Sequence, residues 1–158
     1  MCIRDRIKDV LKKDNCNDTD IVNCINRELS SNEFRPSVEA PMHAILDFKY
    51  VFHTHDLNVN ALTVQKNSQL MFEKALNGLN WKFIPYIKPG IELCHQLIKL
   101  KSKNDNIFIL ENHGLIICGQ DLNEVKNLNS EVRKRLKKIQ TRTVISNDKQ
   151  SHETNTIR

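Results

Sequence analysis

Short apolar runs alternate with amphipathic segments along most of the chain. Four runs rich in β-branched and aromatic residues predict strands: KYVFHTH, WKFIPYI, NIFIL and LIICG. Apolar residues at spacings of three and four predict helices within RPSVEAPMHAILDF, LNVNALTVQ, SQLMFEKALNGL and PGIELCHQLIKLKSK, and a long helix from about residue 121 to 142. Strands that alternate with helices indicate an α/β domain built in layers.

The two ends of the chain lack this pattern. Residues 1–34 are polar and weakly patterned, and only DIVNCINREL there predicts a short helix. Residues 144–158 predict a disordered polar tail. The opening MCIRDR resembles an artefact found at the ends of translated sequencing assemblies, so we expect the natural N-terminus to be missing. The folded domain is therefore predicted to span residues 35–143.

Composition indicates a globular protein of the cytoplasm. The 158 residues are 39% hydrophobic and 27% charged, and no apolar run approaches the roughly 20 residues that cross a bilayer. We therefore expect no membrane partner. The five cysteines are scattered without a CxxC pair, which is typical of a reducing compartment.

The formal charge of +5 raises the question of nucleic-acid binding. The densest basic stretch, VRKRLKKIQTR, contains no aromatic residue on which a base could stack. In and before this stretch, apolar residues form one helical stripe, at Leu122, Val125, Leu128, Val132, Leu136 and Ile139. The basic residues are thus predicted to occupy a solvated helix face, and we expect no nucleic-acid partner.

Two histidines close the first predicted strand, in the stretch YVFHTHDLN. Residues i and i+2 of a strand face the same side about 6–7 Å apart, so His53 and His55 could both reach one metal ion. The alternative is that the two histidines are ordinary core or surface groups. His113, in the turn LENHGL after another buried strand, is the best candidate for a third ligand.

Three histidines with an open position are typical of catalytic zinc. Such a site needs a general base, and Glu39 and Asp56 are the nearest acidic residues in the pattern. Asp56 is the weaker candidate, because it would point to the opposite strand face or cap the next helix.

Four motifs in a fixed order carry a family resemblance: Ser-x-Glu with a histidine four residues later, His-x-His, Pro-Gly-x-x-Leu and Asn-His-Gly. RPSVEAPMHAILDFKYVFHTHDLNVNAL, followed by PYIKPGIELCHQLI and ENHGLIICGQDLNEV, resembles the class II aldolase/adducin family. That family includes fuculose- and rhamnulose-phosphate aldolases, ribulose-phosphate 4-epimerase and the adducin head domain. The resemblance implies a three-layer α/β/α fold with a central mixed or antiparallel sheet flanked by helices.

The resemblance also assigns roles to residues. His53, His55 and His113 match the family's zinc ligands, with another divalent ion as the alternative. Glu39 matches the catalytic acid/base of the aldolases. Ser37 matches the first of two serines that hold the substrate phosphate, but Val38 replaces the second one. Residues 1–34 contain no glycine, so no glycine-rich phosphate loop is available there.

The function implied is a metal-dependent aldolase or lyase that cleaves or forms a carbon–carbon bond in a sugar or sugar-phosphate through a zinc-stabilised enediolate. A catalytically silent, adducin-like binding or assembly module is the alternative, and a pentulose-phosphate 4-epimerase, disfavoured by Glu39, is a third. The implied partners are a small-molecule substrate and further copies of the chain, as a homo-oligomer, typically a tetramer.

Overall fold

Four strands form one mixed sheet in the computed structural model, which describes residues 2–13, 15–29 and 36–153, with side chains to residue 139. The strands are β1 (Tyr50–Thr54), β2 (Trp81–Ile84), β3 (Ile107–Leu110) and β4 (Gly114–Gly119). Their order across the sheet is β1-β4-β3-β2. Strand β4 runs antiparallel to β1 and β3, whereas β2 and β3 are parallel. Each strand falls on one of the four predicted runs.

Seven helices occur in the described part of the chain. They are α1 (Ile3–Leu11), α2 (Asp18–Leu29), α3 (Ala40–Ile45), α4 (Leu57–Thr63), α5 (Ser68–Ala75), α6 (Ile91–Leu100) and α7 (Leu122–Glu153). Helices α1, α2, α3 and α6 share one apolar core with the sheet, and α4, α5 and α7 share a second. The predicted three-layer α/β/α architecture with a mixed central sheet is therefore confirmed.

The two central strands explain why both faces need helices. Strands β3 and β4 are buried along their whole length. Their alternate side chains enter opposite cores, with Phe108 and Ile116 on one face and Ile109 and Ile117 on the other. Side chains alternate between the faces of a strand, so a run that is apolar at every position must be covered on both sides.

The N-terminal segment is more ordered than its pattern predicted. The sequence predicted one short helix there, and the structure has two, which bury Ile7, Leu11 and Ile21 in the first core. Few apolar positions among many charged ones made α1 a weak signal. The spacing of Ile7 and Leu11 nevertheless fits one helix face.

The long last helix also ends later than predicted. Helix α7 continues to Glu153, past the expected end near residue 142. No glycine or proline occurs between residues 143 and 153, so the sequence contains no residue that forces the helix to stop. The rest of the predicted tail, residues 154–158, lies outside the described residues. Within the described residues, no helix is long and apolar enough to cross a membrane.

A side chain of α2 fixes the start of α6. The Asp18 carboxylate accepts a hydrogen bond from the Ile91 backbone N–H at 3.1 Å. Gly90 precedes Ile91 with φ +112°, and a Cβ there would lie 2.7 Å from the Asp18 carboxylate oxygen. The first N–H groups of a helix have no partner within the helix, so Asp18 satisfies one of them from another part of the chain.

We expect Asp18→Ala to lower the free energy of unfolding by about 0.5–2 kcal/mol, the usual cost of losing a cap. Asp18→Asn, which keeps an acceptor oxygen, should lose less. Urea denaturation measures both. Equal unfolding midpoints for Asp18→Ala and the parent chain would contradict this role of Asp18.

Candidate metal centre

Two separate stretches of chain bring histidines to one edge of the sheet. His53 lies within β1 and His55 directly follows it, so both side chains project from the same face. His113 lies in the turn between β3 and β4, and β4 pairs with β1. Glu39 immediately precedes α3, which covers this face of the sheet.

One carboxylate oxygen faces all three imidazoles. Glu39 Oε1 lies 2.7 Å from His113 Nε2, 3.5 Å from His53 Nε2 and 3.6 Å from His55 Nε2. The three rings lie 4.9–5.1 Å apart between centroids and are steeply tilted to one another. Each residue offers one ligand atom, and these atoms lie within 4.8 Å of one another, so this group could hold a metal ion.

The cluster is buried on one side and open on the other. The side chains of His53 and His113 are 7% and 8% exposed, and that of Glu39 is 23% exposed. His55 is 62% exposed and forms the solvent side of the group. A molecule from solvent would therefore meet the cluster beside His55.

The backbone of β4 orients His53. Its Nδ1 lies 3.1 Å from the Leu115 carbonyl oxygen, so the proton resides on Nδ1 and the lone pair on Nε2. That Nε2 is buried and has no hydrogen-bond partner in the described structure. A metal-binding histidine commonly donates its other N–H to a carbonyl or carboxylate in this way.

The turn that carries His113 has an unusual backbone. Asn112 adopts φ +53°, and its N–H donates to Thr63 Oγ1 at 3.1 Å. Asn112 is thus the residue of this turn with a left-handed backbone. Glycine is needed at 114 for another reason: a Cβ there would lie 2.3 Å from the Thr54 carbonyl oxygen.

Electrostatic interactions keep the carboxylate ionised. Burial raises the pKa of Glu39, but the hydrogen bond from His113 and the nearby imidazoles outweigh it, so this pKa lies below its ordinary value. Burial lowers the pKa of His53, and it remains lowered although Glu39 and the Leu115 carbonyl oppose the effect. An ionised carboxylate and a neutral imidazole are the forms that bind metal ions.

Comparison with known proteins places the chain in a family. The family model of the Class II Aldolase and Adducin N-terminal domain matches residues 9–140. The chain belongs to this family. The match begins well before residue 35, in agreement with the packing of α1 and α2 into the class II aldolase domain.

Two solved structures are similar to this class II aldolase domain. The N-terminal class II aldolase domain of a conserved protein from Thermoplasma acidophilum is 26% identical, with a TM-score of 0.76, over 86% of this chain and 63% of that one. An aldolase II superfamily protein from Pseudomonas syringae shares the fold at 22% identity and a TM-score of 0.50, over 63% of this chain and 41% of that one.

A longer curated protein contains a similar segment. The "Uncharacterized oxidoreductase YuxG" of Bacillus subtilis (strain 168) is 28% identical over 119 residues. The match covers 73% of this chain but 17% of that protein. The class II aldolase domain described here therefore spans about a sixth of that relative.

The other candidates from the sequence lie around the cluster. Ser37 is exposed, and its Oγ accepts a hydrogen bond from the Glu39 N–H at 3.2 Å, so it shapes the turn before α3. Val38 beside it is 38% exposed. Asp56 caps α4, because its carboxylate accepts hydrogen bonds from the Asn58 and Val59 backbone N–H groups. A helix cap was one of the two roles predicted for Asp56.

His43 and His95 do not join the group. His43 is exposed in the last turn of α3. His95 is exposed on α6, where its Nε2 lies 3.1 Å from the Leu11 carbonyl oxygen, and Cys94 beside it is buried. The predicted three histidines and Glu39 are thus the set that the fold of this class II aldolase domain brings together.

Sequence reasoning missed Thr63, which braces the His113 turn. Thr63 is 2% exposed, and its hydroxyl donates to the Asn60 carbonyl at 3.0 Å while it accepts from the Asn112 N–H. Helix α4 therefore links the end of β1, through its cap Asp56, to the turn that carries His113. A threonine at the end of a short helix gives no sequence signal of this contact.

We expect Thr63→Val, which keeps the shape but removes the hydroxyl, to lower the free energy of unfolding by about 0.5–1.5 kcal/mol, since it removes the hydrogen bond that the Asn112 N–H donates to this hydroxyl. The same variant should speed hydrogen exchange of the Asn112 amide, measured by NMR. Thr63→Ser should keep slow exchange there. Equal exchange at Asn112 in both variants would show that the hydroxyl does not hold this turn.

Proposed function

We propose that the chain is a metal-dependent aldehyde-lyase domain of the class II aldolase type, which cleaves or forms a carbon–carbon bond in a sugar or sugar-phosphate. The observation that carries this proposal is the convergence of three imidazoles on one oxygen of Glu39. Membership of the class II aldolase and adducin family supports it.

The donor set fits a divalent ion, and zinc is the ion we propose. His53, His55 and His113 would hold it through imidazole nitrogens, which zinc favours, and three histidines leave a position open for substrate. The buried, unpartnered Nε2 of His53 supports this assignment. A buried polar atom without a partner is costly, and coordination would remove that cost.

Bound zinc would act as a Lewis acid that polarises the substrate's carbonyl group. Glu39 would move the proton at the carbon next to that carbonyl. In the condensation direction its carboxylate takes the proton from this carbon, and in the cleavage direction it returns the proton to the same carbon. The lowered pKa of Glu39 supports the role of base, because the carboxylate is ionised before substrate binds.

Ser37 is the residue we propose for the anionic end of the substrate. Its hydroxyl is exposed two residues before Glu39 and can donate to a phosphate while it accepts from the Glu39 N–H. Val38 offers no second hydroxyl. We therefore propose a weaker phosphate contact than two serines would provide.

We also propose that the domain acts as a homo-oligomer, a tetramer by family resemblance, with subunit contacts near the site. His55 is the exposed member of the cluster, and Leu57 two residues later is 83% exposed. An exposed apolar side chain beside the candidate metal centre supports a subunit contact there, because a second copy of the chain would bury it.

The protein purified without added metal or chelator should contain about one equivalent of zinc by atomic emission, as one three-histidine site predicts. His53→Ala should lose most of it. His43→Ala is the matched control, because His43 is exposed and lies outside the cluster. A His53→Ala variant that retains its metal would contradict the ligand assignment.

A folded protein that takes up no metal, even when zinc is offered, would overturn the proposal and favour the catalytically silent module.

Glu39→Gln should keep its metal and lose about 10²–10⁴-fold in turnover, the usual contribution of a general acid or base. The assay follows aldehyde release from a panel of ketose phosphates and free ketoses by a coupled dehydrogenase. Metal content is measured on the same sample, so that loss of the base is distinguished from loss of the ion. Full activity in Glu39→Gln would contradict the role of Glu39.

A further inference from the structure

A cavity of about 480 Å³ opens between α1, α2, α3 and the start of β1. Its size lies within the roughly 300–1,000 Å³ of small-molecule sites. None of the four residues of the metal cluster lines it. It is therefore a feature separate from the candidate metal centre.

The interior of this cavity is apolar. Ile7 of α1, Ile25 of α2, Ala44 of α3 and Val51 of β1 contribute to its wall. Ile7, Ile25 and Ala44 belong to the first core, and Val51 packs against it. A ligand that filled the cavity would extend this core, so most of its body must be hydrocarbon.

The rim of the cavity is basic. Arg4 and Lys49 line it, together with the exposed His43, and none of its described lining residues is acidic. Arg4 donates to the carbonyl oxygens of Leu46 and Phe48, at 2.5 and 3.3 Å. These two bonds leave three of its five N–H donors for another acceptor.

Neither cation of this rim has a carboxylate partner among the described residues. Lys49 lies over the Tyr50 ring at 5.6 Å, a contact that leaves its charge uncompensated. By contrast, Lys8 and Lys101 nearby both pair with Asp47, at 2.6 and 3.5 Å. Two cations without a carboxylate partner among the described residues therefore line this cavity.

We propose that this cavity binds a small organic acid with an apolar body. The carboxylate pairs with Arg4 and Lys49, and the hydrocarbon part lies against Ile7, Ile25 and Val51. Arginine suits such a ligand, because its planar guanidinium matches a carboxylate and is more weakly hydrated than an ammonium group. This inference does not depend on the proposed lyase activity.

Isothermal titration of the metal-loaded protein with octanoate tests the proposal. We expect one octanoate per chain, and binding at least tenfold weaker for octanol, which lacks the charge, and for acetate, which lacks the hydrocarbon body. Octanol that binds as tightly as octanoate would contradict the role of the cations. No heat and no octanoate signal in ligand-observed NMR would overturn the proposal.

Variants locate the binding site. Lys49→Met and Arg4→Met should each weaken octanoate binding about tenfold or more, as expected for the loss of a charge-assisted contact. Arg4 also ties α1 to the backbone after α3, so Lys49→Met is the decisive variant if Arg4→Met fails to fold. Lys103→Met, at an exposed lysine away from the cavity, is the matched control.

Binding that survives Lys49→Met but disappears in His53→Ala would place octanoate on the metal ion and overturn the proposal.

Discussion

The close approach of two backbone segments is the constraint on which the candidate metal centre depends. Where β1 ends and β4 begins, Gly114 lies so near the Thr54 carbonyl that a methyl group would not fit between them. This contact places the histidines of β1 beside the turn that carries His113. Because both segments belong to the paired sheet, their separation is fixed by strand hydrogen bonds and not by flexible side chains.

The second requirement is electrostatic. Several ionisable side chains converge at a largely buried edge, where an isolated charge would be costly. The Glu39 carboxylate is stabilised there because it accepts a hydrogen bond from His113 and lies near the other two imidazoles, whereas the Nε2 of His53 is left without a hydrogen-bond partner. Burial raises the pKa of Glu39, but the hydrogen bond and the imidazoles outweigh it and keep this pKa below its ordinary value, whereas burial itself lowers the pKa of His53.

Much of this arrangement could be predicted from local pattern. The alternation of side chains in a strand was enough to place His53 and His55 on one face. The apolar run before His113 predicted a buried strand that ends at a displayed turn. Local pattern alone could not predict the place of Glu39, because nothing local relates a residue before a short helix to a histidine 74 positions later. For this residue the family resemblance gave the stronger indication.

The features that sequence reasoning missed depend on contacts between distant segments. Thr63 and Asn112 lie 49 positions apart and are joined by one hydrogen bond. A single contact of this kind produces no periodic pattern in the sequence. Helix α1 buries few residues, so its hydrophobic pattern is a weak signal. Its place in the fold depends on its packing with α2 and α3 in the first core. Asn112 provides the left-handed backbone of the His113 turn, which asparagine tolerates, and no periodic pattern in the sequence indicates it.

The unequal exposure of the three histidines has a consequence for how an ion would come and go. The imidazoles of His53 and His113 are buried inside the fold. His55, in contrast, is exposed, so solvent or a chelator would reach this ligand first, while His53 and His113 would still hold the ion. Exchange of the metal, and attack by a chelator, would thus begin at a single surface side chain.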